Sequence, residues 1–178
     1  MTEIAALETN IITGSCENII LIGMPGAGKS TIGPLLAEKL ELTFEDTDVL
    51  IKNCDGRELR DIVIADGFEK FLCIQQTVIM SKELMNCVIA TGGSVVKSTA
   101  LMQHFKDIGR IVYLKLDFNT LEQRLAPDRR LARVNGQTFR QLFEEREPLY
   151  IKYADSIIEC AYKTPEEIVW EITGIFSK

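Results

Sequence analysis

Residues Gly23-Met24-Pro25-Gly26-Ala27-Gly28-Lys29-Ser30, followed by Thr31, fit the spacing G-x-x-x-x-G-K-[ST] of a phosphate-binding loop. Glycines at these intervals let the backbone curl until successive N–H groups point into one concavity. The N-terminus of the next helix adds partial positive charge to the same spot. In that setting Gly26, Ala27, Gly28 and Thr31 surround the phosphates, Lys29 reaches the β- and γ-phosphates, and Ser30 ligates Mg²⁺. The flanks agree with the motif. Asn18-Ile19-Ile20-Leu21-Ile22 is a short run of buried-strand type, and Lys29 to Leu40 places Ile32, Leu35, Leu36 and Leu40 near helical spacing. The alternative is a tight strand-to-helix turn without a ligand, but such a turn has no need of Lys-Ser after its last glycine.

Composition narrows the remaining choices. A chain of 178 residues is large enough to bury a proper core as one domain. No apolar run approaches the roughly 20 residues of a membrane span. Residues 1–17 lack a basic region followed by an apolar core, so they read as a loose leader rather than a signal peptide. Cys16, Cys54, Cys73, Cys87 and Cys160 are scattered without metal-type spacing, which suits reduced thiols in a cytosolic protein. A net charge of −6 argues against nonspecific nucleic-acid binding.

Along the chain, strands and helices alternate. Leu42 to Glu45 reads as a second strand ending in Asp46-Thr47-Asp48, the position where open α/β sheets carry their chemistry. Such a carboxylate pair can help hold hydrated Mg²⁺ and accept a proton from a hydroxyl. Alternatively, Asp46 or Asp48 caps the helix through Val49, Leu50 and Ile51. Helices are predicted over Glu58 to Ala65 and Phe68 to Ser81. A third strand, Cys87 to Ala90, runs into Thr91-Gly92-Gly93-Ser94, where the glycines allow a close ligand or simply a turn. Ser98 to Ile108 is predicted helical, with His104, the only histidine, at its boundary. Ile111 to Leu114 is a fourth strand, and Asn119 or Thr120 caps the helix after it. Residues 126–136, with Arg129, Arg130 and Arg133, form a basic loop that suits a mobile lid in a phosphate-transfer protein, or else a solvated charged loop. Thr138 to Tyr150 is predicted helical with a capping-box start. Arg146 within it either binds an anion or pairs with Glu144 or Glu145 on the surface. Ser156 to Glu159 is a fifth strand, followed through Lys163-Thr164-Pro165 by a last helix.

In this order, the motifs resemble the shikimate kinase family from about Asn18 to the C-terminus. The matching pieces are Gly23 to Gly33, Phe44 to Asp48, Gly92-Gly93, Arg129-x-Leu131 and Arg146-x-Pro148-Leu149-Tyr150. The resemblance implies a three-layer α/β fold with a five-stranded parallel sheet flanked by helices and a lid over about 126–136. It also implies ATP as phosphate donor, Mg²⁺, and phosphorylation of a hydroxyl on a small carboxylic acid. Carried over position by position, Lys29 and Ser30 serve the phosphates and metal, and Asp46 lies near the metal. Asp48 contacts acceptor hydroxyls and is the candidate base. Gly92 and Gly93 offer backbone to the acceptor, and Arg146 holds its carboxylate. Arg129 is the lid arginine near the γ-phosphate, Arg124 stacks near the adenine, and Lys163 to Pro165 border the adenine pocket.

Three positions depart from the family pattern. Where the family carries Phe-Arg-x-x-Glu, this chain has Phe71-Leu72-Cys73-Ile74-Gln75, so Leu72 replaces the arginine that grips the acceptor carboxylate and Gln75 replaces its glutamate partner. Ser94 stands where a third glycine is usual. A charge-assisted bond to carboxylate is worth about 1.5–3 kcal/mol, so losing one arginine of two weakens binding about tenfold to a few hundredfold. We therefore expect a cytoplasmic monomer with an intact ATP half and an altered acceptor half, taking no nucleic acid or membrane as partner. Shikimate is the first acceptor, and another hydroxy acid or a polyol such as gluconate is the second. A nucleotide-binding module without transfer, and an NTPase using water, complete the alternatives.

Overall fold

The computed structural model describes residues 18–125 and 131–176. The expected leader, and residues 126–130 of the expected lid with Arg129, lie outside the described residues. Strands β1 (Asn18–Ile22), β2 (Thr43–Asp46), β3 (Cys87–Ala90), β4 (Gly109–Lys115) and β5 (Ser156–Glu159) form one sheet in the order β2-β3-β1-β4-β5. All four pairings are parallel. Helices α1 (Lys29–Leu40), α2 (Thr47–Asp55), α3 (Leu59–Asp66), α4 (Phe68–Met80), α5 (Thr99–Ile108), α6 (Phe118–Arg124), α7 (Phe139–Tyr153) and α8 (Pro165–Phe176) flank it. The α/β fold expected from the alternation is the one observed.

The middle strands are apolar throughout because neighbours and helices cover both faces. Every residue of β1 and β3 is buried. The polar exception is Asn18, 2% exposed at the start of β1. Its Nδ2 donates to the carbonyls of Leu84 (2.7 Å) and Ile108 (3.1 Å), and its Oδ1 accepts from the Cys87 N–H (3.0 Å). One side chain thus ties three segments together at the end of the sheet opposite the loops that follow β1 and β3. Replacing it with leucine strands three buried polar groups, so Asn18→Leu is expected to lose roughly 3 kcal/mol or more of unfolding free energy. Urea denaturation would measure this.

Several boundaries differ from expectation. Helix α6 is capped by Asp117, whose carboxylate accepts from the Thr120 N–H at 3.0 Å, and not by Asn119 or Thr120. Asp117 precedes the helix in extended conformation, as a cap must, whereas both expected residues are already helical. Helix α7 continues through Pro148 to Tyr153 instead of stopping at Tyr150, with Thr138 and Gln141 forming the expected capping box. A short 3-10 turn at Val95–Lys97, not anticipated, follows β3.

Two apolar cores result. The larger lies on the sheet. The smaller joins Ile51 of α2, Ile62 of α3, and Phe71 and Val78 of α4, with Leu72 and Ala132 packed against it. This second core makes α2, α3 and α4 a rigid wall beside the C-terminal ends of β1, β2 and β3. A cavity of about 750 Å³ lies there.

Candidate active site

The parallel pairing brings three loops to one place, since Leu21 of β1 and Asp46 of β2 both pair with Ala90 of β3. The first is the glycine loop. Gly28 has φ of 98° and caps α1 without any side-chain bond, so the helix terminus is left for a ligand. Gly26, Gly28, Lys29, Ser30 and Thr31 all line the cavity. Ala27 is buried behind them. Lys29 is 8% exposed, and its Nζ donates to the carbonyls of Gly23 (2.7 Å) and Met24 (2.9 Å).

The second loop carries the carboxylates. Asp46 is the residue that caps α2, and its second carboxylate oxygen faces the glycine loop. Its Oδ1 accepts from the Asp48 N–H at 2.9 Å, capping α2, and its Oδ2 accepts from the Ser30 hydroxyl at 2.8 Å. Thr47 was not singled out from the sequence. It is fully buried, and its hydroxyl accepts from the Gly92 N–H at 2.9 Å, which fixes the second loop to the third. Asp48 follows directly and lines the cavity.

The third loop explains its own glycines. A Cβ at Gly92 would stand 2.3 Å from Asp48 Oδ1. One at Gly93 would stand 3.2 Å from Arg146 Nη1 and 3.1 Å from the Tyr150 hydroxyl. The absent side chains let the backbone touch both functional groups. Tyr150 donates to the Gly93 carbonyl at 2.7 Å and stacks on Tyr113 with centroids 5.2 Å apart. Burial pushes the Tyr150 hydroxyl up to about 12 despite the Arg146 guanidinium nearby, so it remains a donor.

Arg146 is not on the surface. It is 2% exposed, lines the cavity, and its Nε has no hydrogen-bond partner among the described residues. Glu145 turns away to Lys97 and Gln137, and the Lys97 ammonium holds its carboxyl below the usual range. A buried guanidinium with an unmet N–H on a cavity wall suits an anionic ligand.

Two of the three departures from the family pattern meet each other. Gln75 is fully buried, and the Ser94 Oγ lies 3.0 Å from its Nε2 and 3.1 Å from its Oε1. The extra hydroxyl of Ser94 thus meets the amide of Gln75 while also lining the cavity. Leu72 does not line the cavity. It packs into the small core, and its neighbour Phe71 provides the apolar lining instead.

Other expected positions are spread more widely. Arg124 lines the cavity, whereas Lys163 and Pro165 do not, and Lys163 pairs with Glu171 on α8. Arg129 falls outside the described residues, but Leu131 and Ala132 beside it line the cavity. No group of three or more His, Cys, Asp or Glu side chains is arranged to hold a metal among the described residues. No helix among them is long and apolar enough to cross a membrane.

The chain is similar to known proteins over most of its length. A profile of the shikimate kinase family matches residues 25–175. A shikimate kinase of Sulfurihydrogenibium sp. is 37% identical over 161 residues, covering 88% of this chain and 95% of the relative. Among solved structures, shikimate kinase from Acinetobacter baumannii in complex with shikimate superposes with a TM-score of 0.78 at 28% identity, covering 90% of this chain and 93% of that one. The shikimate kinase of Aquifex aeolicus gives 0.75 at 30% identity, covering 90% and 96%.

Proposed function

Because the chain belongs to the shikimate kinase family, we propose that it transfers the γ-phosphoryl group of ATP to a hydroxyl of shikimate. The observation that carries the acceptor half is Arg146: a buried cation with an unmet N–H, lining the same cavity as Asp48 and the phosphate loop. An acceptor with a carboxylate at one end and hydroxyls at the other satisfies both walls at once.

The acceptor oxygen attacks the γ-phosphorus in line, the bond from phosphorus to the ADP oxygen breaks, and the hydroxyl proton passes to the Asp48 carboxylate. Lys29 gives up its bonds to the Gly23 and Met24 carbonyls for phosphate oxygens, where it neutralises developing charge. The α1 N-terminus acts on the same oxygens. Gly92 and Gly93 admit the acceptor to the backbone, with Thr47 and Tyr150 holding them in place.

The donor set suits Mg²⁺: the Ser30 hydroxyl and Asp46 carboxylate are hard oxygens already within hydrogen-bonding distance of each other. When bound there, the ion would lower the negative charge of the polyphosphate. Arg129 of the lid acts on the γ-phosphate, and Arg124 borders the adenine. The protein works as a cytoplasmic monomer.

The test is ADP release from ATP and Mg²⁺ with and without a large excess of shikimate. Strong stimulation by shikimate is the expected result. ATP binding without stimulation would overturn the acceptor assignment, and phosphate release in the absence of any acceptor would favour water instead.

A further inference from the structure

The cavity wall built by α2, α3 and α4 carries two cations, Lys52 and Arg60, that are not part of the mechanism above. Lys52 is neutralised by its pair with Glu58. Arg57, the third cation of this region, is bonded to both Asp55 and Asp66, and these carboxylates raise its pKa further. Arg60 differs from both. It is half-buried in the first turn of α3, it lines the cavity, and it makes no hydrogen bond or ion pair among the described residues. The next residue, Asp61, lines the same cavity, but no ion pair joins it to Arg60. A guanidinium partly withdrawn from water without a counter-ion leaves its donors available to an anion.

We propose that Arg60 is a second cationic contact for the acceptor's carboxylate, supplied by α3, while Arg146 supplies the first from α7. This rests on the acceptor reading above. The polyphosphate already has its cationic partners at the glycine loop, Lys29 and the α1 terminus. Arg60 instead shares its wall with Val49, Leu59 and Phe71, on elements packed against one another, and with two acids, Asp61 and the Glu58 that pairs with Lys52. Helix α4 contributes no cation to this wall, because its lining residue is Phe71 and Leu72 is turned into the small core. The planar fork of an arginine is also the side chain best matched to a carboxylate.

Steady-state kinetics with shikimate and with its uncharged methyl ester test the proposal in the wild-type, Arg60→Gln and Arg60→Lys proteins. In Arg60→Gln the KM for shikimate is expected to rise about 10- to 100-fold, with KM for ATP within about twofold. KM for the ester should match wild type, and Arg60→Lys should recover part of the loss. An unchanged KM for shikimate, or equal losses for acid and ester, would overturn the role of Arg60. If the wild-type protein shows no shikimate-dependent turnover, the acceptor reading fails separately. Calorimetric binding of quinate and gluconate then decides about Arg60: weaker binding of these acids by Arg60→Gln sustains the proposal, and equal binding or none to either protein overturns it.

Discussion

Asp48→Asn is expected to lower kcat by about 10²–10⁴-fold, the usual contribution of a positioned general base. The substitution keeps the shape of the side chain and leaves the backbone N–H that Asp46 accepts. It removes the charge and the basic oxygen that the proposed mechanism sets against the acceptor hydroxyl. The Asp48 carboxylate is clamped by surrounding structure. Asp46 fixes its backbone, and Gly92 approaches so closely that a Cβ there would lie 2.3 Å from Oδ1. The loss should therefore appear in kcat, with ATP affinity nearly unchanged. Single-turnover rates and nucleotide binding would separate the two, and a kcat close to wild type would remove Asp48 from the chemistry.

Lys29→Met is expected to lower kcat by about 10²–10³-fold or more, because the variant lacks the charge that the proposed mechanism brings to the transferring phosphoryl group. Affinity for ATP should fall as well. In the ligand-free protein the same ammonium bridges the Gly23 and Met24 carbonyls. Its loss there changes stability by about 1–3 kcal/mol, which leaves the protein folded. Thermal unfolding in the absence of nucleotide would verify that the activity loss is not an unfolding effect. A Lys29→Met protein with near-normal turnover would show that the loop binds phosphate without acting on it.

Much of this molecule was legible in the sequence where the signal is local. β1, α1, β3 and β5 have the predicted bounds, because each is an apolar or periodic run closed by turn residues. The Thr138–Gln141 capping box and a cap for α2 at Asp46 or Asp48 depend on neighbours within three residues and were visible for the same reason, the structure choosing Asp46. Asp117 was missed because Asp117, Asn119 and Thr120 are all cap-forming residues within one short stretch, and only the backbone dihedrals decide among them. The acceptor site was harder. Arg146 lies among glutamates on a polar helix, and nothing local distinguishes a buried arginine from one on a solvated face. The Gln75–Ser94 bond and the Tyr150–Gly93 bond join residues 19 and 57 apart, which no periodicity reveals. Arg60 sits in Arg57-Glu58-Leu59-Arg60-Asp61, a charged stretch that reads as surface until α2, α3 and α4 are packed into a wall.

The strand order has a consequence for how the chain reaches this state. β1 is among the first elements made, yet its partners are β3 and β4, and Asn18 bonds to residues 69 and 90 positions later. At synthesis rates of about 5–20 residues per second, β1 waits several seconds before either neighbour exists. During that interval a strand with four large apolar residues in a row, Ile19 to Ile22, has two open edges. The long sequence separation also slows closure of the sheet once the partners are present. A chain ending before β4 is then the species most exposed to aggregation, and the apolar character that makes β1 the centre of the finished sheet makes it the point of greatest risk during birth.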